Sequence, residues 1–172
     1  NIMEDYANAY GLEHISFRYF CCAGASRKHG ESRNYESHLI PNVIDFILGR
    51  NTEIYLYGDD FDTIDGSGVR DYVHVEDIVD AHILAIDKIK EYSGKKYNIG
   101  TSSGYSVLEV IKQAENIFSK DANVIIKKRR VGDPAILVAT FDLIKSDFSW
   151  IPKRTLSDML VSSYEWRKKP LY

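Results

Sequence analysis

The chain has 172 residues, 44% apolar and 27% charged, which is ordinary globular composition and enough for one sizeable core. Its 22 Lys and Arg against 25 Asp and Glu leave a net charge of −3, giving no electrostatic reason to expect nucleic acid or an anionic membrane as the main partner. No apolar window reaches the roughly 18 residues of a membrane span, and two adjacent cysteines, Cys21 and Cys22, are too few for a disulfide framework, which fits a reducing cytoplasm.

In chain order, Met3, Tyr6, Ala7 and Tyr10 share a helical face, and Gly11 ends that helix. Residues 14–20, HISFRYF, alternate and are rich in β formers, so they predict a strand running into a small-residue turn at Ala23, Gly24 and Ala25. Residues 26–37 read as a polar loop. Leu39, Ile40, Val43, Ile44, Ile47 and Leu48 predict an amphipathic helix stopped by Gly49. Strands are expected at 53–57 and 69–75, on either side of an acidic, glycine-broken loop.

Glu76 and Asp77 then suit the positive first turn of a helix whose buried stripe is Ile78, Ala81, Ala85, Ile86 and Ile89. A short strand at 97–99 follows. Ser106 with Glu109 spells a capping box, with Tyr105 and Val110 as its staple. Residues 124–127 form a strand, and a loop carries Gly132, Asp133 and Pro134. Two helices close the chain, the last near Thr155 with Leu156, Met159, Leu160 and Tyr164 inward. Strands alternating with helices predict an α/β class.

Several chemistries have no motif here. No glycine fingerprint lies between a strand and a helix, and Gly66-Ser67-Gly68 leads into a strand instead. There is no Gly-x-Ser-x-Gly elbow and no His-Glu-x-x-His. Tyr92 and Lys96 have a Tyr-x-x-x-Lys spacing, but Gly94 between them marks a turn. Neither cysteine has partners for a zinc site, so no metal is expected. The run Asp59, Asp60, Phe61, Asp62 lacks an EF-hand glutamate and reads as a solvated loop. His74 and His82 read as core histidines, hydrogen-bonded and inert, whereas His38 precedes a helix and is placed to face a ligand.

What remains reads as a ligand grip. Arg70 follows a glycine loop on a β-branched strand, and Arg130 follows another strand beside Gly132 and Asp133. Two guanidinium forks from separate loops suit a diphosphate, with Asp133 accepting from ribose hydroxyls. The alternative is that both arginines are solvated surface charges paired with Asp71 and Asp133.

The landmarks RYF and AGA across 18–25, HLIP at 38–41, YGDD with DGSGVRDYVHVEDIVDAH across 57–82, YNIGTSSGYSVLEVI at 97–111, RRVGDPAILVA at 129–139 and the helix bearing Trp166 occur in one order. In that order the chain resembles the UDP-glucose 4-epimerase group of the extended short-chain dehydrogenase, or NAD-dependent epimerase/dehydratase, family. The resemblance implies an NAD-binding Rossmann domain followed by a smaller α/β domain for the sugar nucleotide. Residues 1–25 would be the terminal helix and strand of the first. Residues 26–172 would be mainly the second, with about 69–101 packing back on the Rossmann sheet. It also implies that the family's catalytic Tyr-x-x-x-Lys and glycine loop lie upstream of Asn1, so these residues alone are expected not to turn over.

The implied reaction removes hydride from sugar C4, lets the 4-keto sugar swing, and returns hydride to the other face. By resemblance Tyr19 and Phe20 flank the nicotinamide, and Arg70 and Arg130 hold the diphosphate. Asp133 meets the ribose, Leu39, Tyr55, Tyr57 and Val107 bound the uridine, Tyr72 touches the nucleotide, and His38 lies near the diphosphate or sugar. Cys21 stands where the family has an Asn that hydrogen-bonds substrate, and a thiol is a much weaker donor. Leu137 stands where bulk near the sugar varies. UDP-GlcNAc, UDP-pentose or uronate epimerisation, or non-catalytic nucleotide-sugar binding, are the alternatives. A cytoplasmic homodimer is the expected assembly.

Overall fold

The computed structural model describes residues 2–33 and 35–170. The elements run α1 (Ile2–Tyr10), β1 (Ser16–Tyr19), β2 (Cys21–Ala23), α2 (Leu39–Ile47), β3 (Ile54–Tyr57), β4 (Val69–His74), α3 (Val75–Asp87), β5 (Lys96–Ile99), β6 (Gly104–Ser106), α4 (Val107–Phe118), β7 (Val124–Lys127), β8 (Ile136–Leu137), α5 (Asp142–Phe148) and α6 (Leu156–Lys168). Parallel pairs join β1 to β5, β2 to β4, β3 to β7 and β4 to β8, and β6 pairs antiparallel with β4. The α/β class is therefore as expected. No helix among the described residues is long and apolar enough to cross a membrane.

Local signals account for most boundaries. Gly11 ends α1 at a φ of +69°, a conformation open to glycine. Ser106 caps α4 with the reciprocal Glu109 bond of a capping box, and Thr155 with Asp158 does the same for α6. β4 stops at His74, one residue earlier than predicted, because that side chain caps α3 by accepting from the Glu76 N–H.

Three expectations needed correction. The strand predicted at 14–20 is the shorter β1, and residues 21–23 form a second strand, β2, because β4 offers them a ladder. The turn comes at Gly24, where an added Cβ would lie 2.6 Å from the His74 ring. In α3, Ile78, Ala81 and Ala85 are buried but Ile86 is 69% exposed, lying with Val79 and Ile83 on the outer side. Strands β6 and β8, of three and two residues, carry no periodic signal and were not predictable.

Two hydrophobic cores result. The first joins α2, α4 and α6 around Ile40, Ile44, Val110, Met159, Leu160 and Tyr72. The second joins β1, β5, α3 and α5 around Val73, Tyr97, Ile99, Ile144 and Trp150. Tyr72 and Val73 are neighbours on β4 and point to opposite faces, so this strand is the wall between the cores.

Candidate functional site

The alternation of β4 organises the site. Arg70 and Tyr72 share the first core's side, while Asp71 and Val73 share the second's. Arg70 is in register with Tyr105 of β6 and with Leu137 of β8. Its side chain, only 14% exposed, donates to the Val69 carbonyl (2.7 Å) and the Ala135 carbonyl (3.5 Å) and pairs with Asp133. Cys21 is in register with buried Tyr72. Burial pushes the Tyr72 hydroxyl well above its ordinary range. It pushes the Cys21 thiol up too, with Arg70 opposing and Asp71 and Asp133 reinforcing. The fold thus gathers Cys21, Arg70, Tyr72, Asp133 and Leu137 about one strand. Leu39 and Val107, the first residues of α2 and α4, pack on the same core as Cys21 and Tyr72.

A second group lies on β3 and the loop after β7. Tyr55 and Tyr57 alternate outward, 45% and 37% exposed. Lys127 sits 4.8 Å from the Tyr55 ring centroid and Arg130 sits 4.1 Å from that of Tyr57. Such stacks orient a guanidinium while leaving its donors free. Neither open reading of the arginines holds in full. Arg70 pairs with Asp133 yet is nearly buried, Arg130 is exposed but stacked, and Asp71 pairs with neither. In the acidic loop Asp59, Asp60 and Asp62 are exposed as expected, Phe61 is buried, and Arg129 pairs with Asp60.

Tyr19 and Phe20 stand where the parallel strands β1 and β5 end, the edge at which open α/β sheets bind ligands. The Phe20 N–H donates to the Ile99 carbonyl at 3.2 Å. The Tyr19 hydroxyl lies 2.8 Å from His82 Nε2, and His82 Nδ1 lies 2.8 Å from the Ile78 carbonyl. That network assigns the proton to Nδ1, so the phenol donates. His74 is buried, its Nε2 3.1 Å from Ser162 Oγ, which fits a satisfied core histidine. His38 precedes α2 and lies 2.9 Å from Glu31 Oε1. Glu31, Glu36 and His38 converge within 4.8 Å, but Arg33 and Arg167 already face the two carboxylates.

Sequence reasoning missed Asp71. It is fully buried, and its carboxylate accepts from Thr101 N (2.8 Å), Thr101 Oγ1 (2.6 Å), Ser102 N (3.1 Å) and Ala139 N (3.1 Å). The available signal was an acid between Arg70 and Tyr72 on a strand that the pattern buries on both sides.

The model of the NAD dependent epimerase/dehydratase family matches residues 1–100. The UDP-glucose 4-epimerase of Corynebacterium glutamicum is 38% identical over 153 residues, which cover 89% of this chain and 46% of that protein. Among solved structures, UDP-glucose 4-epimerase from Bifidobacterium longum, in complex with NAD+ and UDP, superposes with a TM-score of 0.90 at 37% identity, covering 97% of this chain and 51% of that one. The UDP-Glc/GlcNAc 4-epimerase from the human pathogen Campylobacter jejuni gives 0.81 at 33%, covering 98% and 52%. The chain spans about half the length of the curated relatives it matches. With its parallel strand pairs, its landmarks in order and a family match over residues 1–100, the chain belongs to the NAD-dependent epimerase/dehydratase family.

Proposed function

We propose that these residues are the nucleotide-gripping part of an enzyme that interconverts UDP-glucose and UDP-galactose with NAD. The observation that carries the reading is Arg70, a nearly buried guanidinium near the start of β4, flanked by Tyr105 and Leu137 and facing Asp133. Its family and its likeness to a structure holding NAD+ and UDP support that ligand. On this reading Arg70 and Arg130 hold the diphosphate, and Asp133 turns from Arg70 to accept from the ribose. Tyr55, Tyr57, Leu39 and Val107 bound the uridine, Tyr72 backs the nucleotide, and His38 lies near the diphosphate or sugar.

For NAD the residues present fit one side only. The edge at Tyr19 and Phe20 borders the nicotinamide, while these 172 residues hold no glycine fingerprint for the dinucleotide phosphates. When bound, NAD would supply the hydride acceptor and donor for chemistry at sugar C4. This chain's part is a firm hold on UDP and a loose hold on the hexose, so that the 4-keto sugar can turn over between the two transfers. Cys21 suits looseness, because a thiol restrains a hydroxyl weakly. The 172 residues alone do not turn over on this reading, and the assembled enzyme is a cytoplasmic homodimer.

The test is UDP titration calorimetry and a UDP-galactose assay on the natural full-length polypeptide. Arg70→Ala or Arg130→Ala should each weaken UDP binding by roughly 1.5–3 kcal/mol, the worth of a charge-assisted contact. Unchanged affinity in both variants would show that the diphosphate lies elsewhere. The acetylated pair UDP-GlcNAc/UDP-GalNAc is a second reading. It is favoured by the half-exposed Leu137 beside Arg70 and by the likeness to a UDP-Glc/GlcNAc 4-epimerase. No turnover of that pair beside brisk turnover of UDP-galactose would remove it.

A further inference from the structure

Asp71 is a fully buried acid on β4 whose work the nucleotide grip does not use. Its carboxylate has no cationic partner among the described residues and is filled by neutral donors from two other segments. One is the turn after β5, where Thr101 donates twice and Ser102, at a φ of +58°, donates its N–H. A left-handed non-glycine residue is strained and persists where neighbours over-determine it. The other is Ala139, two residues beyond Leu137. Gly100 allows this approach, since an added Cβ would lie 2.5 Å from Asp71 Oδ2.

These segments belong to different parts of the site. The turn at 101–102 continues β5, whose last residue, Ile99, accepts from the Phe20 N–H on the cofactor side. The same turn leads into β6, which flanks Arg70 on one side, while Ala139 follows β8, which flanks it on the other. Val69 and Arg70 hold the near end of this second segment at Ala135 and Asp133. One carboxylate therefore ties both strands beside Arg70 to the end of the cofactor-side sheet.

We propose that Asp71 is a positioning residue that fixes the spacing between the diphosphate grip at Arg70 and the cofactor edge at Phe20. This rests on the functional reading above. Hydride transfer depends steeply on that spacing, and UDP affinity does not, because Arg70 and Arg130 hold UDP from one side of the joint. In Asp71→Asn one acceptor oxygen becomes an amide nitrogen aimed at N–H donors, so the joint loosens while β4 keeps its ladder.

The experiment uses the natural full-length polypeptide with NAD. Asp71→Asn should lower kcat on the order of 10- to 100-fold, the scale of an ångström of misplacement, with UDP affinity kept within about threefold. Thr101→Val, which removes the 2.6 Å hydroxyl bond to Asp71 together with that hydroxyl's longer contacts to the Ser103 backbone, should lower kcat in the same direction by about threefold and leave UDP affinity alone. A folded Asp71→Asn enzyme with unchanged kcat would overturn the proposal. So would a parallel loss of UDP affinity and kcat, which would make Asp71 part of the grip. If Asp71→Asn does not fold, Thr101→Val decides: lowered melting temperature with unchanged kcat means a structural role only. A wild-type protein that neither binds UDP nor epimerises would sink the functional reading itself, a result distinct from all of these.

Discussion

Around β4 the buried polar groups are met: Asp71 by four donors, Arg70 by two carbonyls and Asp133, and His74 by Ser162 and the Glu76 N–H. Along α1 and the segment leading into β1 the reverse holds. Helix α1 has no buried residue, Ile2, Met3, Tyr6 and Tyr10 are exposed, and His14 is only 4% exposed with both ring nitrogens lacking a hydrogen-bond partner. The difference teaches that the surroundings of β4 are pre-organised by these residues themselves, whereas the α1 margin adds little to either core.

The contrast can be broken most sharply by truncation. Leu160→Ala, at a fully buried position of the first core, should cost about 3 kcal/mol, while Met3→Ala should stay within about 0.5 kcal/mol. Urea unfolding of this chain compares them, and similar costs would mean that α1 is packed after all. A smaller effect of opposite sign is expected at His14. Replacing a buried, unpartnered imidazole by leucine should stabilise the chain by about 1 kcal/mol. A lower urea midpoint for His14→Leu would reveal a partner for that ring.

The mildest effect is a pH slope. Burial holds the His74 pKa below its ordinary value of 6.5, and nearby Arg154 adds to this. The unfolded chain then binds the proton more readily, so stability from neutral His74 is complete above about 6.5 and declines as pH falls below it. Melting temperatures between pH 7.5 and 5.5 should therefore drop more for the wild type than for His74→Asn. Equal slopes would assign the acid sensitivity to other groups.

How much was legible follows physical range. Helix α2 announces itself through apolar periodicity and α4 and α6 through their paired caps, both local properties. Arg70, Arg130 and Asp133 stood out because arginines beside glycine loops are chemically conspicuous. The Asp133–Arg70 pair spans 63 residues, so no local spacing could choose it over Asp71. The Tyr57–Arg130 stack joins β3 to the loop after β7, and only the fold reveals the pairing of β3 with β7. Asp71 looked like a counter-ion because its neighbour is charged, and its true partners lie 30 and 68 residues away.

The alternation of β4 has one more consequence, for how this stretch can change over time. Residues 69–74 serve two cores by turns, so the six positions behave as a reading frame. A point substitution alters one side of the wall. A single-residue insertion before Arg70 would exchange the sides altogether, sending the guanidinium and Tyr72 toward the second core and Asp71 toward the first. Substitutions there are tunable, but changes of length are not, and variation in length should collect instead in the loops that deliver the chain to this strand.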